Sequence, residues 1–291
     1  MLPMLPTPTL RTALLTSMAL LAFAANSLLC RLALTGKHAD PASFNLIRLV
    51  SGAMVLGAIV MLRNDKSTGR GNWLSALALF VYAAGFSFAY VGLTASTGAL
   101  LLFGAVQGTM IGVGLYRGER LRVMQTIGFF SAIVGLLLLL LPGLAAPPLS
   151  SSLLMLTAGI AWGIYSLRAK AAGDPTRVTA GNFLRAAPIA IVSSLLIWIA
   201  NPITVQVDHT GLLCALASGA LASGLGYAVW YAALRHLPAT LAAALQLSVP
   251  VIAAVGGIVF LSERLSDTLL IASVLTLGGM GIVIFCRADP K

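Results

Sequence analysis

Ten apolar runs of about twenty residues, separated by short breaks of Gly, Pro and charged residues, leave this chain few ways to fold. In hydrocarbon a backbone N–H or C=O meets no water, so it must pair within its own helix or in a closed barrel. Roughly twenty residues is also the helix length that spans the apolar core of a bilayer. The runs fall near 12–34, 41–62, 73–93, 95–116, 122–141, 150–170, 178–200, 211–234, 239–261 and 267–286. None shows the two-residue alternation of a barrel strand, so each is expected to be a helix. Hydrophobic residues make up 59% of the chain and charged residues 9%, which leaves no room for a soluble domain of any size. The expected fold class is an all-α polytopic membrane protein of ten transmembrane helices.

The net charge of +10 has a topological explanation. The basic residues are dispersed through short loops, with no long run and no aromatic-interleaved patch of the kind that binds nucleic acid. Thirteen of the eighteen fall on the side of the termini: Arg11, Arg63, Lys66, Arg70, Arg117, Arg120, Arg122, Arg168, Lys170, Arg177, Arg235, Arg287 and Lys291. The other side holds Arg31, Lys37 and Arg264. The excess predicts both termini in the cytoplasm, in a bacterial inner membrane. The first run contains AFAA, which resembles a cleavage site, but its apolar stretch exceeds that of a signal peptide and is expected to stay as the first helix. Cys30, Cys214 and Cys286 lie singly in apolar segments; they are expected to fill space, with no disulfide, metal or cofactor.

The two remaining basic residues, Arg48 and Arg185, lie inside runs and expose an internal repeat. NLIR ending at Arg48 matches NFLR ending at Arg185, 137 positions later, and the same shift aligns Arg31 with Arg168. Beyond a longer loop around NPITVQVDHT the shift becomes 144 and aligns Glu119 with Glu263. Each repeat then holds five helices, residues 1–145 and 146–291. Five is odd, so the second copy enters the membrane from the opposite side, the inverted arrangement common in alternating-access carriers.

GERL at Gly118–Leu121, SERL at Ser262–Leu265 and the stretch PVIAAVGGIVFLSERL resemble the drug/metabolite transporter superfamily. More narrowly, the chain is similar to EamA-type exporters of ten helices and to bacterial YddG-like aromatic amino acid exporters. The resemblance implies export of small metabolites, amino acids foremost and aromatic ones included. The first half departs from the proline-bearing motif, with Val106 and Gln107 where the second half has Pro250 and Val251.

Candidate cavity residues follow from polar and aromatic groups inside apolar helices. Arg48 and Arg185 each lie roughly 10 Å along their helices; they either snorkel to headgroups or face a water-filled cavity and meet a carboxylate. Asn45 and Asn182 stand one turn before them on the same face. Tyr82, Phe86 and Tyr90 form a stripe on the third helix, Tyr227 and Trp230 lie on the eighth, and Trp162 and Tyr165 on the sixth. Such rings serve packing and interfacial belts, or line a cavity and stack on a flat substrate. Pro250 frees the carbonyl of Gln246 in the ninth helix; Pro188 does the same for Leu184 in the seventh and offers a bend. Gly128, Ala132 and Gly135 in the fifth helix, and Gly278, Gly279 and Gly281 in the tenth, permit close packing within the chain or between copies.

Asp40, Asp65, Glu119, Asp174, Asp208, Glu263, Asp267, Asp289 and all three histidines fall in loops or at helix ends. Proton coupling ordinarily needs such a group within the membrane, so facilitated diffusion or weak coupling is expected. No HExxH, GxSxG or paired intramembrane carboxylates are present, so an enzyme is not expected. The expected partners are a small-molecule substrate and membrane lipid, with the chain a monomer or weakly self-associating. The alternatives are export of other metabolites or drugs, and a channel.

Overall fold

A computed structural model describes residues 10–63, 68–118, 120–141, 147–169, 173–202, 205–234, 236–237 and 239–286. Among these the chain is all helix without a strand: α1 Leu10–Thr35, α2 Pro41–Arg63, α3 Trp73–Ala89, α4 Ala95–Tyr116, α5 Val123–Leu140, α6 Leu149–Ala169, α7 Pro175–Ala200, α8 His209–Leu234, α9 in two pieces, Ala239–Gln246 and Ser248–Leu261, and α10 Asp267–Phe285. Nine spans among the described residues are long and apolar enough to cross a membrane, and α3 is a shorter apolar helix of 17 residues. The outward surface is apolar, with Leu62, Phe130, Phe260 and Val274 exposed, while polar side chains gather inside. This is the inside-out distribution that a lipid solvent favours.

Short polar side chains set the helix starts. Asp40, Asn72, Thr94, Asp174, Asp208 and Ser266 each accept a backbone N–H two or three residues ahead, at the starts of α2, α3, α4, α7, α8 and α10, so the first orphan donors of these helices are paired. Three details concern the helix ends and the prolines. α3 stops at Ala89 and gives way to a turn. α7 runs unbroken through Pro188. The ninth helix is interrupted at Leu247, where Pro250 has no N–H to give to Gln246 one turn back.

The helices pack in a repeating scheme. α1 packs on α8 and α9, and α6 packs on α3 and α4; α2 meets α7 and α8, and α7 meets α2 and α3. α4 also meets α9, and α5 lies along α10. Raising each helix number by five exchanges these pairs among themselves. Gly128, Ala132 and Gly135 face Gly279, Thr276 and Ala272 across the α5–α10 contact, where a Cβ on Gly128 would lie 2.5 Å from the Gly279 carbonyl. Gln125 and Ser131 of α5 donate to the carbonyls of Val283 and Leu275 on α10. These small residues therefore bring two helices of one chain together, while Gly278 and Gly281 face open space.

The end at which α1 begins is called proximal here and the opposite end distal. At the distal end the α1–α2 and α7–α8 connections are strapped together. Asp40 N–H donates to Gln206 O at 2.8 Å, Asp208 N–H to His38 O at 2.8 Å, and His38 Nδ1 lies 2.7 Å from Asp208 Oδ2. At the proximal end the α2–α3 and α6–α7 connections meet in the same manner, Asp174 N–H donating to Thr68 O at 2.8 Å and Asn72 N–H to Asn182 Oδ1 at 2.9 Å.

The Gly211 backbone N–H, and after it the His38 ring, hold the Asp208 carboxyl below the ordinary carboxylate range. A depressed carboxyl adds stability above its unfolded pKa and loses it as pH falls through the folded value. An acid titration of thermal melting therefore shows an Asp208 contribution that disappears below pH about 4 and is missing from Asp208→Asn. At the α5–α10 contact, Gly279→Leu costs about 2 kcal/mol through overpacking against backbone, read as a lower melting temperature in detergent, whereas Gly281→Leu leaves it unchanged.

Candidate functional site

The centre of the bundle is organised around Arg48 on α2, which is 1% exposed. Its Nη2 donates to the Tyr82 hydroxyl at 2.9 Å and its Nε reaches Ser223 Oγ at 3.4 Å. The guanidinium carbon lies 5.1 Å from the Tyr82 ring centroid and 4.8 Å from that of Phe86, within cation–π range of both. Its Nη1 is buried with no hydrogen-bond partner among the described residues. No carboxylate lies within ion-pair distance of Arg48 among those residues.

The middle of α8 makes room for this arrangement. Residues Ala217–Leu225, ASGALASGL, take π-helical geometry, a local widening that is frequent at functional sites. α2 comes so close that a side chain on Gly219 would overlap the Arg48 carbonyl and the Ser51 hydroxyl. The widened turn brings Ser218 to Asn26 of α1, donating to its Oδ1 at 2.5 Å, and Ser223 to Arg48. Asn26 Nδ2 in turn approaches the Tyr82 oxygen at 3.5 Å.

The aromatic residues named from sequence form one connected cluster. Tyr90, Phe86 and Tyr82 run along α3 with centroids 4.7 and 5.6 Å apart, and Tyr82 meets Trp162 at 4.7 Å. Trp162 stacks on Tyr165 at 5.3 Å and meets Tyr227 at 5.1 Å. Phe23 joins Tyr227 to Trp230, and Phe183 packs on Tyr227. Tyr82, Phe86, Trp162 and Tyr227, together with Phe23, Asn26, Ser27, Leu102, Phe103, Ala222 and Gln246, enclose a cavity of about 20 Å³. That volume holds about one water, so any larger solute enters only if the helices part.

The Asn-x-x-Arg pairs have different surroundings. Arg185 is half-buried near the proximal end, where its Nη1 donates to the carbonyls of Arg70 at 2.6 Å and Gly181 at 2.8 Å. It lies apart from the aromatic cluster. Asn182 holds the start of α3 and donates to the Tyr165 hydroxyl at 3.4 Å, whereas the Oδ1 of buried Asn45 has no partner among the described residues. Tyr90 and Trp230 belong to the aromatic cluster without lining the cavity, and the Tyr90 hydroxyl donates to Ala95 O at 3.3 Å. Phe23, Ser27, Ser218, Ser223 and Phe103 were not singled out from sequence. Phe23, Asn26 and Ser27 do share one face of α1, spaced as i, i+3 and i+4, but the serines of α8 look in sequence like ordinary small residues.

Above the cavity, the distal end is closed by a latch. Glu263 accepts the Ala95 N–H on both oxygens, at 3.0 and 2.9 Å, and Arg31 Nε at 3.2 Å. Arg31 Nη1 also donates to Tyr90 O at 3.1 Å. One carboxylate thus joins α1, the start of α4 and the α9–α10 connection at a helix N-terminus, where negative charge is favoured. Glu119, its counterpart in the sequence repeat, lies outside the described residues. The closure is one-sided: α4 is buried from Ala95 to Gly104, whereas Ala244, Leu245 and Gln246 at the end of the first piece of α9 are only half-buried. Cys30, adjacent to Arg31 and fully buried, is a native reporter of the latch. With Cys214 and Cys286 replaced by Ser, Glu263→Ala is expected to speed maleimide labelling of Cys30 about tenfold, the loss of one charge-assisted contact.

These features define a polytopic membrane protein that closes a polar and aromatic chamber between its helices. The EamA-like transporter family model matches residues 149–285. An uncharacterized protein of Pseudomonas aeruginosa is 53% identical over 281 residues, 96% of each chain. A probable amino-acid metabolite efflux pump of Salmonella typhimurium is 30% identical over 205 residues, 67% of this chain and 69% of that one. A protein of known crystal structure shares the fold with a TM-score of 0.65 at 20% identity, over 94% of this chain and 97% of the other. The chain belongs to the EamA-like transporter family, a membership that points to transport rather than catalysis.

Proposed function

We propose that this protein exports amino acids, aromatic ones included, across the bacterial inner membrane by alternating access around the central cavity. The observation that carries the proposal is the single buried cluster in which a guanidinium without a carboxylate partner lies over aromatic rings that line a chamber. A buried cation without a counter-charge favours a substrate that carries a carboxylate. Aromatic walls favour one with a flat apolar side chain. The probable amino-acid metabolite efflux pump among the relatives supports the same substrate class.

In this proposal residues 1–145 and 146–291 are two five-helix repeats, the second inverted, with both termini in the cytoplasm. The exchange of helix pairs under a shift of five supports the repeat, and the excess of Lys and Arg on the proximal side supports the orientation. The distal latch and the half-buried end of the first α9 piece then describe a carrier sealed toward the outside. A chamber with room for one water favours a carrier over an open channel. Described carboxylates and histidines all lie in loops or at helix ends, which favours facilitated diffusion or weak coupling.

The test is a substrate panel in proteoliposomes. Labelled phenylalanine and tryptophan enter protein-bearing vesicles faster than empty ones, with saturation and counterflow. Equal rates for all amino acids would remove the aromatic preference, and rates equal to those of empty vesicles would overturn amino acid transport.

A further inference from the structure

The position of Arg48 relative to the cavity carries a more specific assignment, which rests on the proposed amino acid transport. Arg48 is not on the cavity wall. Tyr82 and Phe86 are, and the guanidinium packs against those same two rings. An approaching solute meets phenol and phenyl groups before it meets the arginine.

The hydrogen bonds at the Tyr82 oxygen determine what that phenol offers. A tyrosine hydroxyl has one proton to give and two lone pairs to receive with. Two donors face the Tyr82 oxygen, Arg48 Nη2 at 2.9 Å and Asn26 Nδ2 at 3.5 Å, and neither nitrogen accepts a hydrogen bond. Asn26 Oδ1 already receives Ser218. The Tyr82 proton is therefore left to point elsewhere, and Tyr227, another residue of the wall, borders the same cavity. The Arg48 cation donates to the Tyr82 oxygen from behind the wall and so strengthens that hydroxyl as a donor. On the cavity wall that hydroxyl keeps a proton to give.

We propose that the Tyr82 and Tyr227 hydroxyls receive the carboxylate of the transported amino acid, and that Arg48 is a positioning residue that polarises them from behind the wall. The bound carboxylate supplies the negative charge that the buried guanidinium otherwise lacks. The assignment makes the carboxylate, not the side chain, the group without which transport fails. Primary amides of the same amino acids, which carry no negative charge, are then poor ligands.

The experiment uses the full chain in proteoliposomes, with phenylalanine, or whichever amino acid the panel shows to be carried best, and its primary amide as competitor. In the unaltered protein the amide competes at least tenfold more weakly than the acid, as expected when a charge-assisted hydrogen bond is lost. Tyr82→Phe raises KM about tenfold and brings acid and amide toward equal potency. Tyr227→Phe acts in the same direction and serves as the second variant if Tyr82→Phe fails to fold. Arg48→Met reproduces the loss of discrimination, and Arg48→Lys restores part of it. A merely structural role for these residues would lower the maximal rate and the melting temperature and leave the acid-to-amide ratio as it was. That unchanged ratio in folded Tyr82→Phe and Tyr227→Phe proteins overturns this assignment while leaving amino acid transport intact. Absence of amino acid uptake by the unaltered protein overturns both.

Discussion

A single positive charge, the Arg48 guanidinium, sits almost wholly buried in the bundle with no described carboxylate beside it. Burying an unpaired cation is among the costliest things a fold does, and the surrounding structure compensates for it piece by piece. Tyr82 supplies an oxygen, Ser223 a second, and the faces of Tyr82 and Phe86 supply negative quadrupoles. Ser223 is in reach because α8 widens into a π segment, and α2 approaches that segment because Gly219 has no side chain. The aromatic cluster, the widened helix and the small residues on it are thus all arranged about one charge.

The two ends of the molecule treat their connections alike, yet the centre is asymmetric. Straps of backbone hydrogen bonds join α1–α2 to α7–α8 at one end and α2–α3 to α6–α7 at the other. Arg48 and Arg185, matched in sequence, face different surroundings, one enclosed by rings and the other spent on loop carbonyls. In the proposed inverted repeat the halves need not be functional duplicates: both can serve as scaffold while the proposed binding chemistry gathers around Arg48. The broken α9 fits this division, since the unbroken α4 lacks the proline that interrupts its counterpart.

Much of the architecture was legible in the chain because the solvent dictates it. The runs at 41–62, 95–116 and 267–286 became α2, α4 and α10 nearly to the residue, since a helix is the cheapest way to satisfy a backbone in hydrocarbon. The aromatic residues of α3, α6 and α8 were legible as candidates because large rings were scarce and some stood near mid-helix. That they touch one another was not, for contact between Trp162 and Tyr82 or Tyr227 depends on how three helices cross. Ser218 and Ser223 were illegible for a different reason: their role comes from a π turn that rotates them toward Asn26 and Arg48, and small residues carry no periodic signal of such a turn.

A helical, many-spanning chain with a rare cation in its second span and rings in its third, sixth and eighth is readable from the residues alone, because burial in lipid constrains length, polarity and backbone pairing one segment at a time. That Arg48 lies behind the Tyr82 and Phe86 rings while Arg185 serves a loop, and that Glu263 fastens the start of α4, follows from the packing of the helices. Those outcomes depend on distances between segments far apart in the chain. A guanidinium of fixed reach finds a phenol, a serine or a loop carbonyl according to which helix crosses its path.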